Sequence, residues 1–418
     1  FERDVIRPNV TGKFGNLLLA TAKSPAMLIY LDNFNSTADG GADNADMMGA
    51  VKKSAIKVAQ KKKGGLNENY AREVMELHTL GVDGGYTQND VTQAARVLTG
   101  WTIAPMGDDG YGSGIKKVLE STGNGNLKKR GFVRDGDFLF VPNRHDKQEK
   151  TVLGNKFGAN GGYEEGVALL EILSDHPSSA RFISKKIATR FVSDQPSSKL
   201  VNRMARTFKN TKGDIREVLI SMVTAPEFWQ KEALREKTKS PFELAISAVR
   251  GLDATITQPY QLYSWINKMG QKMYYYQAPT GFPDRGQYWI NTGSLLNRMN
   301  FGLALAGGKI PGVKINLIAI NGNHEPESAE DALVTYSKLV MPERDLSNTI
   351  KRLKPMLKDP ELTKKVARAA EKNTVPQPGQ MGNTPIDPLP SKAISTSSNT
   401  MLAQVVGVII GSPEFQRK

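Results

Sequence analysis

The sequence contains no cysteine and only four histidines among its 418 residues. A chain without cysteine forms no disulfide, no thiolate metal site and no cysteine nucleophile. Such a chain also suits an oxidising compartment. Histidine chemistry, whether metal binding or proton transfer, is restricted to His78, His145, His176 and His324. His176 and His324 are most simply structural loop residues, whereas His78 and His145 lie near carboxylates, Glu76 and Asp146, and are the histidines with functional potential.

Long apolar runs are missing as well. The strongest run, Met401–Ile410, is about half of the ~20 residues that a membrane-spanning helix requires, so we expect no transmembrane segment. Familiar catalytic motifs are also absent, since there is no serine nucleophile elbow, no dinucleotide fingerprint and no phosphate-binding loop. The hydrophobic fraction of 39% is ordinary and allows a substantial core.

The formal net charge of +14 comes from basic residues that are spread along the chain. Basic clusters occur at 52–63, 128–130, 185–190 and 231–239. A protein that reads nucleic acid would gather such residues in one groove with aromatic or polar readers between them, and no such module is recognisable. The scattered charge therefore predicts that the protein binds no specific nucleic acid. It favours a protein or an acidic polymer as the binding partner.

The densest set of chemically capable side chains lies in the stretch Asn67–Trp101, NENYAREVMELHTLGVDGGYTQNDVTQAARVLTGW. Apolar residues at 3- and 4-residue steps predict the buried face of a first helix: Tyr70, Val74, Leu77 and Leu80. Gly81 stands where a left-handed helix cap favours glycine. Thr87, with Asp90 three residues later, predicts the capped start of a second helix. The stretch therefore predicts two helices joined by a tight glycine turn.

This stretch resembles the signature of a large bacterial family known as domain of unknown function 1800. Further segments agree with that family in the same order: RHDKQEKTVLG (144–154), ARFISKKIATRFV (180–192), GDIREVLISMVTAPEFW (213–229), PTGFPDRGQYW (279–289) and SPEFQRK (412–418). The resemblance covers nearly the whole chain. It implies a helical fold, but it implies no particular activity.

The resemblance also bears on the cellular setting. Members of that family usually carry a further helical region before the segment that matches residues 1–16, so we expect an N-terminal part to be missing from this chain. Such proteins are often exported and encoded beside a sulfatase-like family. The resemblance therefore implies a periplasmic or extracellular protein whose export signal belongs to the missing part.

As a whole, the sequence predicts a mostly α protein. We expect one large multi-helix domain over 1–372, interrupted by a loop and β-hairpin excursion over 102–158. The hairpin signal is FVR-DG-DFLF, with the Asp-Gly pair as its turn. Residues 373–400 are rich in proline and serine and predict a linker or strap. Residues 401–418 predict C-terminal helices that pack back on the domain.

Five side chains are candidates for catalysis: Glu73, Glu76, His78, His145 and Asp146. On an α-helix, residues two apart point about 200° away from each other and residues five apart about 140°, so His78 is poorly placed to share an ion with Glu76 or Glu73. His145 and Asp146 lie in a loop, where functional residues gather, and they are the expected ligands of one divalent metal ion. Each candidate also has a structural interpretation, as a partner of the local backbone.

The segment Tyr274–Trp289 is the most aromatic part of the chain. We expect Asp284, Arg285, Tyr288 and Trp289 to contact a ligand there. Aromatic faces beside polar loop groups suit a sugar or another flat ligand, and they suit helix packing equally well.

Two functional classes follow from these observations. In the first, the protein is a structural or binding component of an extracytoplasmic complex. In the second, it is a metal-assisted hydrolase or another enzyme, with a site built from the helix over 68–78 and the loop over 144–150. Convergence of the five candidates in one buried cluster would favour the enzyme. A separate local partner for each candidate would favour the binding component.

Overall fold

Helices dominate the computed structural model, with only a few short strands, and the predicted mostly α class is confirmed. The structure describes residues 1–38, 65–105, 115–116, 119–120, 124–231, 233–342, 344–359, 361 and 400–418. The basic cluster over 52–63 and all but the last residue of the predicted strap over 373–400 lie outside these ranges. Within them, none of the helices combines the length and the apolar character needed to cross a bilayer.

The chain divides into two units. Unit 1 comprises residues 1–188 and 196–229, and unit 2 comprises residues 189–195 and 230–418. The longer helices that begin in unit 1 are α1 (Phe14–Lys23), α2 (Pro25–Tyr30), α3 (Asn69–Glu73), α4 (Gln88–Val97), α5 (Asn124–Lys129), α6 (Tyr163–Asp175), α7 (Pro177–Phe191), α8 (Ser198–Asn210) and α9 (Ile215–Val223). Its strands are β1 (Trp101–Ile103), β2 (Val133–Asp135), β3 (Phe138–Phe140), β4 (Lys150–Val152) and β5 (Asn155–Phe157).

The central helix pair of unit 1 follows the local signals in the sequence. Thr87 and Asp90 form a complete capping box at the start of α4, with each side chain accepting a bond from the other's backbone N–H. Gly81 takes a φ of 86°, which a residue with a Cβ adopts only with strain. The turn between the helices is thus built as predicted.

The first helix of the pair differs from the prediction in its geometry. It is α-helical only over α3 and continues as a π-helix over Val74–Thr79. The Leu80 N–H donates to the carbonyl of Met75 across five residues, and the Thr79 hydroxyl donates to the carbonyl of Val74. The wider turn buries Met75 and Thr79 completely and leaves Leu77 only partly buried.

Two small sheets accompany the helices of unit 1. The predicted hairpin is present as β2 and β3, and β1 joins it to give the antiparallel order β1-β3-β2. Asp135 pairs with Phe138, so the turn is Gly136-Asp137, one residue later than predicted. Gly136 alone has a positive φ there, which is the pattern of a type II′ turn. Strands β4 and β5 form a second hairpin.

Trp101 is the centre of the aromatic core of unit 1. Its ring is fully buried, stacks on Tyr163 at a centroid distance of 5.3 Å and meets Phe138 edge-on at 5.1 Å. Helix α6 passes so close that a Cβ on Gly166 would lie 2.4 to 2.6 Å from atoms of this ring. The glycine therefore permits the contact between β1 and α6.

Unit 2 is built around α16 (Thr400–Gly411), which packs against both α12 (Thr292–Ala306) and α14 (Ala329–Val340). Its other helices and strands are α10 (Pro241–Gly251), α11 (Tyr260–Lys268), α13 (Leu317–Ile320), α15 (Ser347–Leu353), β6 (Thr255–Ile256) and β7 (Val313–Lys314). The apolar run that the sequence singled out, Met401–Ile410, lies in α16 and supplies Val406, Ile409 and Ile410 to this core.

Buried cations lie at the end of unit 2 where the chain's C-terminal residues sit. Arg298 is fully buried and donates to the Gln416 side chain at 3.2 Å and to the Lys239 carbonyl at 2.9 Å. Lys239 donates to the carbonyl of Phe415 at 2.8 Å and lies 4.2 Å from the centre of its ring. Burial lowers the pKa of Lys239 to about 8. Backbone oxygens thus take the place of carboxylates around these cations.

The approach of α6 to Trp101 predicts the effect of a single methyl group. Gly166→Ala should lower the free energy of unfolding of unit 1 by about 2 kcal/mol, because the new Cβ overlaps a ring that other aromatic side chains hold in place. Hydrogen–deuterium exchange of α6 peptides along a urea series measures this loss. Gly158→Ala is the matched control, since its Cβ meets no atom within 4 Å. Equal stability of the two variants would refute the close packing.

Candidate functional site

Three of the five catalytic candidates lie in the π-helical segment or directly before it. Glu73 immediately precedes it, and Glu76 and His78 lie within it. A π-helix brings residues five apart closer together than an α-helix does, which removes the angular objection to a Glu73–His78 pair. The two side chains nevertheless have different neighbours. The charges of Glu76 and Arg72 act on the pKa of Glu73, and the charge of Lys186 acts on the pKa of His78.

Glu76 is held by a tyrosine. The Tyr86 hydroxyl donates to Oε2 of Glu76 at 3.0 Å. Burial, followed by the bond to Glu76, raises the pKa of Tyr86 to about 12. Burial and the neighbouring charge of Glu76 also raise the pKa of Glu73. The pair is a local arrangement on one side of the helix turn.

His78 forms no hydrogen bond or ion pair with any described residue. Burial lowers its pKa to about 4, and the positive charge of Lys186 adds to that effect. The imidazole is therefore neutral at neutral pH.

His145 belongs to a buried charged cluster that the sequence did not reveal. Its Nε2 lies 3.0 Å from Oε2 of Glu165 on α6, and the same oxygen accepts a bond from Lys150 Nζ at 2.6 Å. All three side chains are almost completely buried. Glu165 and Lys150 lie on different elements, α6 and β4, so no sequence spacing could have signalled the contact.

The second ring nitrogen of His145 is also engaged. Nδ1 lies 2.9 Å from the carbonyl oxygen of Thr99, which accepts a bond from it in the tautomer that carries the proton on Nδ1. Burial lowers the pKa of His145, and the Lys150 cation works in the same direction. A neutral ring has one proton for two oxygen acceptors, the Thr99 carbonyl and Glu165. Lys150 therefore donates to Oε2 of Glu165 whichever tautomer His145 adopts.

Asp146 points to a different partner. The Arg96 guanidinium on α4 donates to both carboxylate oxygens, at 2.7 and 3.2 Å. The backbone N–H groups of Asp146 and Gln148 donate to the Thr99 hydroxyl and to Asp146 itself. Burial alone would raise the pKa of Asp146, but the bonds from Arg96 and Gln148 outweigh it and lower the pKa. The residue is thus an anchor of its loop.

The structure therefore distributes the five catalytic candidates over three places in unit 1. No hydrogen bond or ion pair among the described residues joins any two of them. His145 and Asp146, the expected metal ligands, use their polar atoms on Glu165, Thr99 and Arg96. Across the described ranges, no three His, Asp or Glu side chains are grouped so that they could hold a metal ion.

In unit 2, the four expected ligand contacts fall into two groups. Trp289 is buried, and its ring N–H donates to the carbonyl of Pro283 at 3.0 Å. Asp284 lies 3.5 Å from Arg190. Arg285 and Tyr288 are exposed. The first two residues therefore hold the loop, and the last two are available to a ligand.

Two residues that the sequence did not single out hold this loop in place. Asp194 accepts a bond from the backbone N–H of Gly286 at 2.7 Å and forms an ion pair with Lys237. The buried Lys237 also donates to the carbonyl of Asp284 at 2.7 Å. Both residues lie far from the aromatic motif in sequence and carry no motif of their own. Only the tertiary contact identifies them.

The loop presents a set of exposed tyrosines, which we call the tyrosine platform: Tyr274, Tyr275, Tyr276 and Tyr288. Their exposed fractions run from 43% to 83%. Ring contacts connect the two parts of the platform, because Tyr276 meets Phe282 at 4.7 Å and Phe282 meets Trp289, next to Tyr288, at 5.9 Å. Tyr274 has a φ of 64°, an unusual value for a large side chain.

The comparison with known families agrees with the sequence motifs. A family model described as "Protein of unknown function (DUF1800)" matches residues 1–417. The chain belongs to this family. Neither a curated protein nor a solved structure matches it. The DUF1800 assignment establishes an uncharacterised bacterial family, so the function has to be argued from the geometry.

The buried cluster of this DUF1800 chain predicts a large cost for removing one charge. Lys150→Met should lower the free energy of unfolding by about 3–5 kcal/mol, because Glu165 is left buried without its cation. The double variant Lys150→Met/Glu165→Gln should recover much of that loss. Urea denaturation of a double-mutant cycle measures the coupling.

The control for that cycle is Lys199→Met, which removes the exposed cation of the Lys199–Glu227 pair and should cost less than about 1 kcal/mol. A loss in Lys150→Met no larger than in this control would show that the buried cluster does not stabilise unit 1.

His78 predicts a pH dependence of stability. A histidine in the unfolded chain titrates near 6.5, whereas the pKa of folded His78 is about 4. The unfolded state therefore binds more protons between these values, and stability falls as the pH drops from 6.5 towards 4. His78→Gln should remove about 2 kcal/mol of this loss, measured by urea denaturation at both pH values. His324→Asn, at an exposed loop position, should behave as the wild type.

Proposed function

We propose that this protein is an exported binding component that holds an acidic polysaccharide on the tyrosine platform of unit 2. The observation that carries the proposal is the exposure of four tyrosines on one anchored loop. A patch of exposed aromatic side chains on a protein surface marks an interaction site more often than expected by chance.

The chemistry of the platform suits sugar rings. A tyrosine ring offers a flat apolar face and a hydroxyl that donates and accepts hydrogen bonds. A sugar ring has the complementary combination of an apolar C–H face and peripheral hydroxyls. Tyrosine also has few rotatable bonds, so it loses little conformational entropy when a ligand orders it.

The charge of the surrounding segment favours an acidic polymer over a neutral one. Residues 260–295 contain the cations Lys268, Lys272 and Arg285 and one carboxylate, Asp284. Lys272 Nζ lies 4.0 Å from the centre of the Tyr275 ring, so positive charge is located at the platform itself. Asp284 is within 3.5 Å of Arg190, which reduces its repulsion of an anion. The segment therefore attracts carboxylate or sulfate groups.

The platform is also held ready for binding. The Asp194–Lys237 ion pair, together with the bonds to Gly286 and Asp284, fixes one end of the motif loop. The Trp289–Pro283 bond fixes the other side. A loop ordered before binding loses less entropy when the ligand arrives, which increases affinity.

An extracytoplasmic setting is part of the proposal. The absence of cysteine and the net charge of +14 suit a protein that meets acidic polymers outside the cytoplasm. The resemblance to an often exported family points the same way. A second component could join such a protein in a complex on the polymer.

The binding role is better supported than the enzymatic one. The criterion for an enzyme was convergence of Glu73, Glu76, His78, His145 and Asp146. Among the described residues, no hydrogen bond or ion pair joins any two of these side chains, and His145 lies in a cluster that is almost completely buried. A substrate could not reach that cluster without unfolding its surroundings.

Affinity electrophoresis in gels that contain polygalacturonate tests the proposal. The wild type should be retarded by this polymer, less so at high salt, and not by neutral dextran. Tyr288→Ala and Tyr275→Ala should each weaken binding about tenfold, as loss of an aromatic anchor does. Tyr260→Ala is the matched control, because Tyr260 is similarly exposed in unit 2 but lies outside the platform.

Three results would contradict the proposal. Equal retardation by dextran would show that the charge of the polymer does not contribute to binding. Equal loss of binding in Tyr260→Ala would remove the role of the platform. No retardation of the wild type by polygalacturonate or by a sulfated polymer such as dextran sulfate would exclude acidic polysaccharides as the ligand.

A further inference from the structure

A second exposed apolar surface lies in unit 1, at the end of α9 and the turn that follows it. We call it the tryptophan patch: Ile220, Val223 and Trp229. Their exposed fractions run from 40% to 64%. The patch is continuous, because Ile220 and Val223 are one turn apart on α9 and the Trp229 ring N–H donates to the carbonyl of Val223 at 2.7 Å.

That internal hydrogen bond prepares Trp229 for an apolar environment. A tryptophan that enters such an environment normally has to find an acceptor for its ring N–H, or it loses the bond that water provided. Trp229 already donates to Val223. Its ring can therefore leave water without losing a hydrogen bond.

Charged side chains surround the patch, and cations outnumber carboxylates. Arg203 donates to the Thr224 hydroxyl beside Val223 at 3.3 Å, and Arg216 lies one turn before Ile220 on the same helix. Lys199 forms an ion pair at 3.0 Å with Glu227, which precedes Trp229 by two residues. Of the two carboxylates, Glu227 is buried, and Glu217 is exposed on α9. Because Lys199 and Glu227 neutralise each other, Arg203 and Arg216 together with Glu217 leave the rim with a net positive charge.

The charge of the rim decides between the candidate occupants. A second copy of this chain would bring two cationic rims together, and like charges repel. A protein interface of ordinary stability buries about 1,200–2,000 Å², which is far more than three side chains supply. An anionic bilayer surface needs no such area, because a few apolar side chains and nearby cations add their contributions. Tryptophan is moreover the residue that favours the bilayer–water interface.

We propose that the tryptophan patch docks unit 1 on an anionic lipid surface, with Trp229 and Ile220 entering the interfacial layer and Arg203 and Arg216 meeting lipid phosphates. The docking is peripheral and reversible. It does not depend on the polysaccharide site, which is in unit 2.

Vesicle sedimentation tests this docking. Full-length protein is mixed with vesicles of phosphatidylcholine, with and without phosphatidylglycerol. The protein should sediment with the anionic vesicles only, and less at high salt. Trp229→Ala and Ile220→Ser should each weaken vesicle binding about tenfold, and Arg216→Glu should weaken it at low salt. Val82→Ser, at an exposed apolar position of unit 1 outside the patch, is the matched control and should bind normally.

Fluorescence gives an independent readout of the same contact. Trp101 and Trp289 are buried and Trp265 is partly buried, so Trp229 is the indole whose emission should shift to shorter wavelength on the vesicles. Trp229→Phe should keep vesicle binding and abolish the shift. Because Trp229 and Ile220 are exposed, their substitution should leave the thermal unfolding temperature unchanged, which separates loss of docking from loss of fold.

The proposal is overturned by any of three results: no sedimentation with anionic vesicles, equal binding by Trp229→Ala, or equal binding to neutral vesicles. A concentration-dependent dimer that Trp229→Ala abolishes would assign the patch to self-association and overturn it as well. The polygalacturonate assay on the same variants should be unaffected, so the two sites can fail separately.

Discussion

The ion pair that the buried carboxylate of Glu165 forms with Lys150 is the interaction on which the packing of unit 1 depends. The carboxylate accepts a bond from Lys150 and lies 3.0 Å from Nε2 of His145, and all three side chains are almost completely buried. Removing a charge from water costs several kcal/mol, so β4, the loop before it and α6 are restricted to arrangements that keep these groups together. The Arg96–Asp146 pair ties α4 to the same loop. The side chains with the most catalytic potential thus hold the small sheets to the helices.

Buried charges also hold unit 2 together, but there they bond to the backbone. Lys237, Lys239 and Arg298 are buried, and each bonds a backbone carbonyl. Lys237, with Asp194, holds the aromatic loop, whereas Lys239 and Arg298 hold the last residues of the chain. The bonds from Asp194 and Lys237 run through the backbone of the loop, and the four platform tyrosines remain exposed.

Local signals predicted local structure well. The Thr87–Asp90 capping box, the positive φ of Gly81 and the hairpin after residue 132 all depend on residues within a few positions of one another. The prediction was less accurate where a segment from elsewhere in the sequence contributes to the local structure. Strand β1 was missed because it depends on contacts with distant segments, above all its pairing with β3, over thirty residues away. The π-helix was missed because apolar periodicity assumes the α-helical repeat.

By itself, the sequence determined the family, the mostly α class, the helix caps and the aromatic character of the loop before α12, since each follows from residue type and short spacing. The tertiary structure decided which side chains could act. His145 and Asp146 are neighbours in the chain, yet they bond Glu165 on α6 and Arg96 on α4. Trp289 and Tyr288 are also neighbours, and one is buried while the other is exposed. The bonding partners and the burial of a side chain are decided by segments that lie far away in the sequence. The spacing of residues along the chain does not show which of these segments pack together.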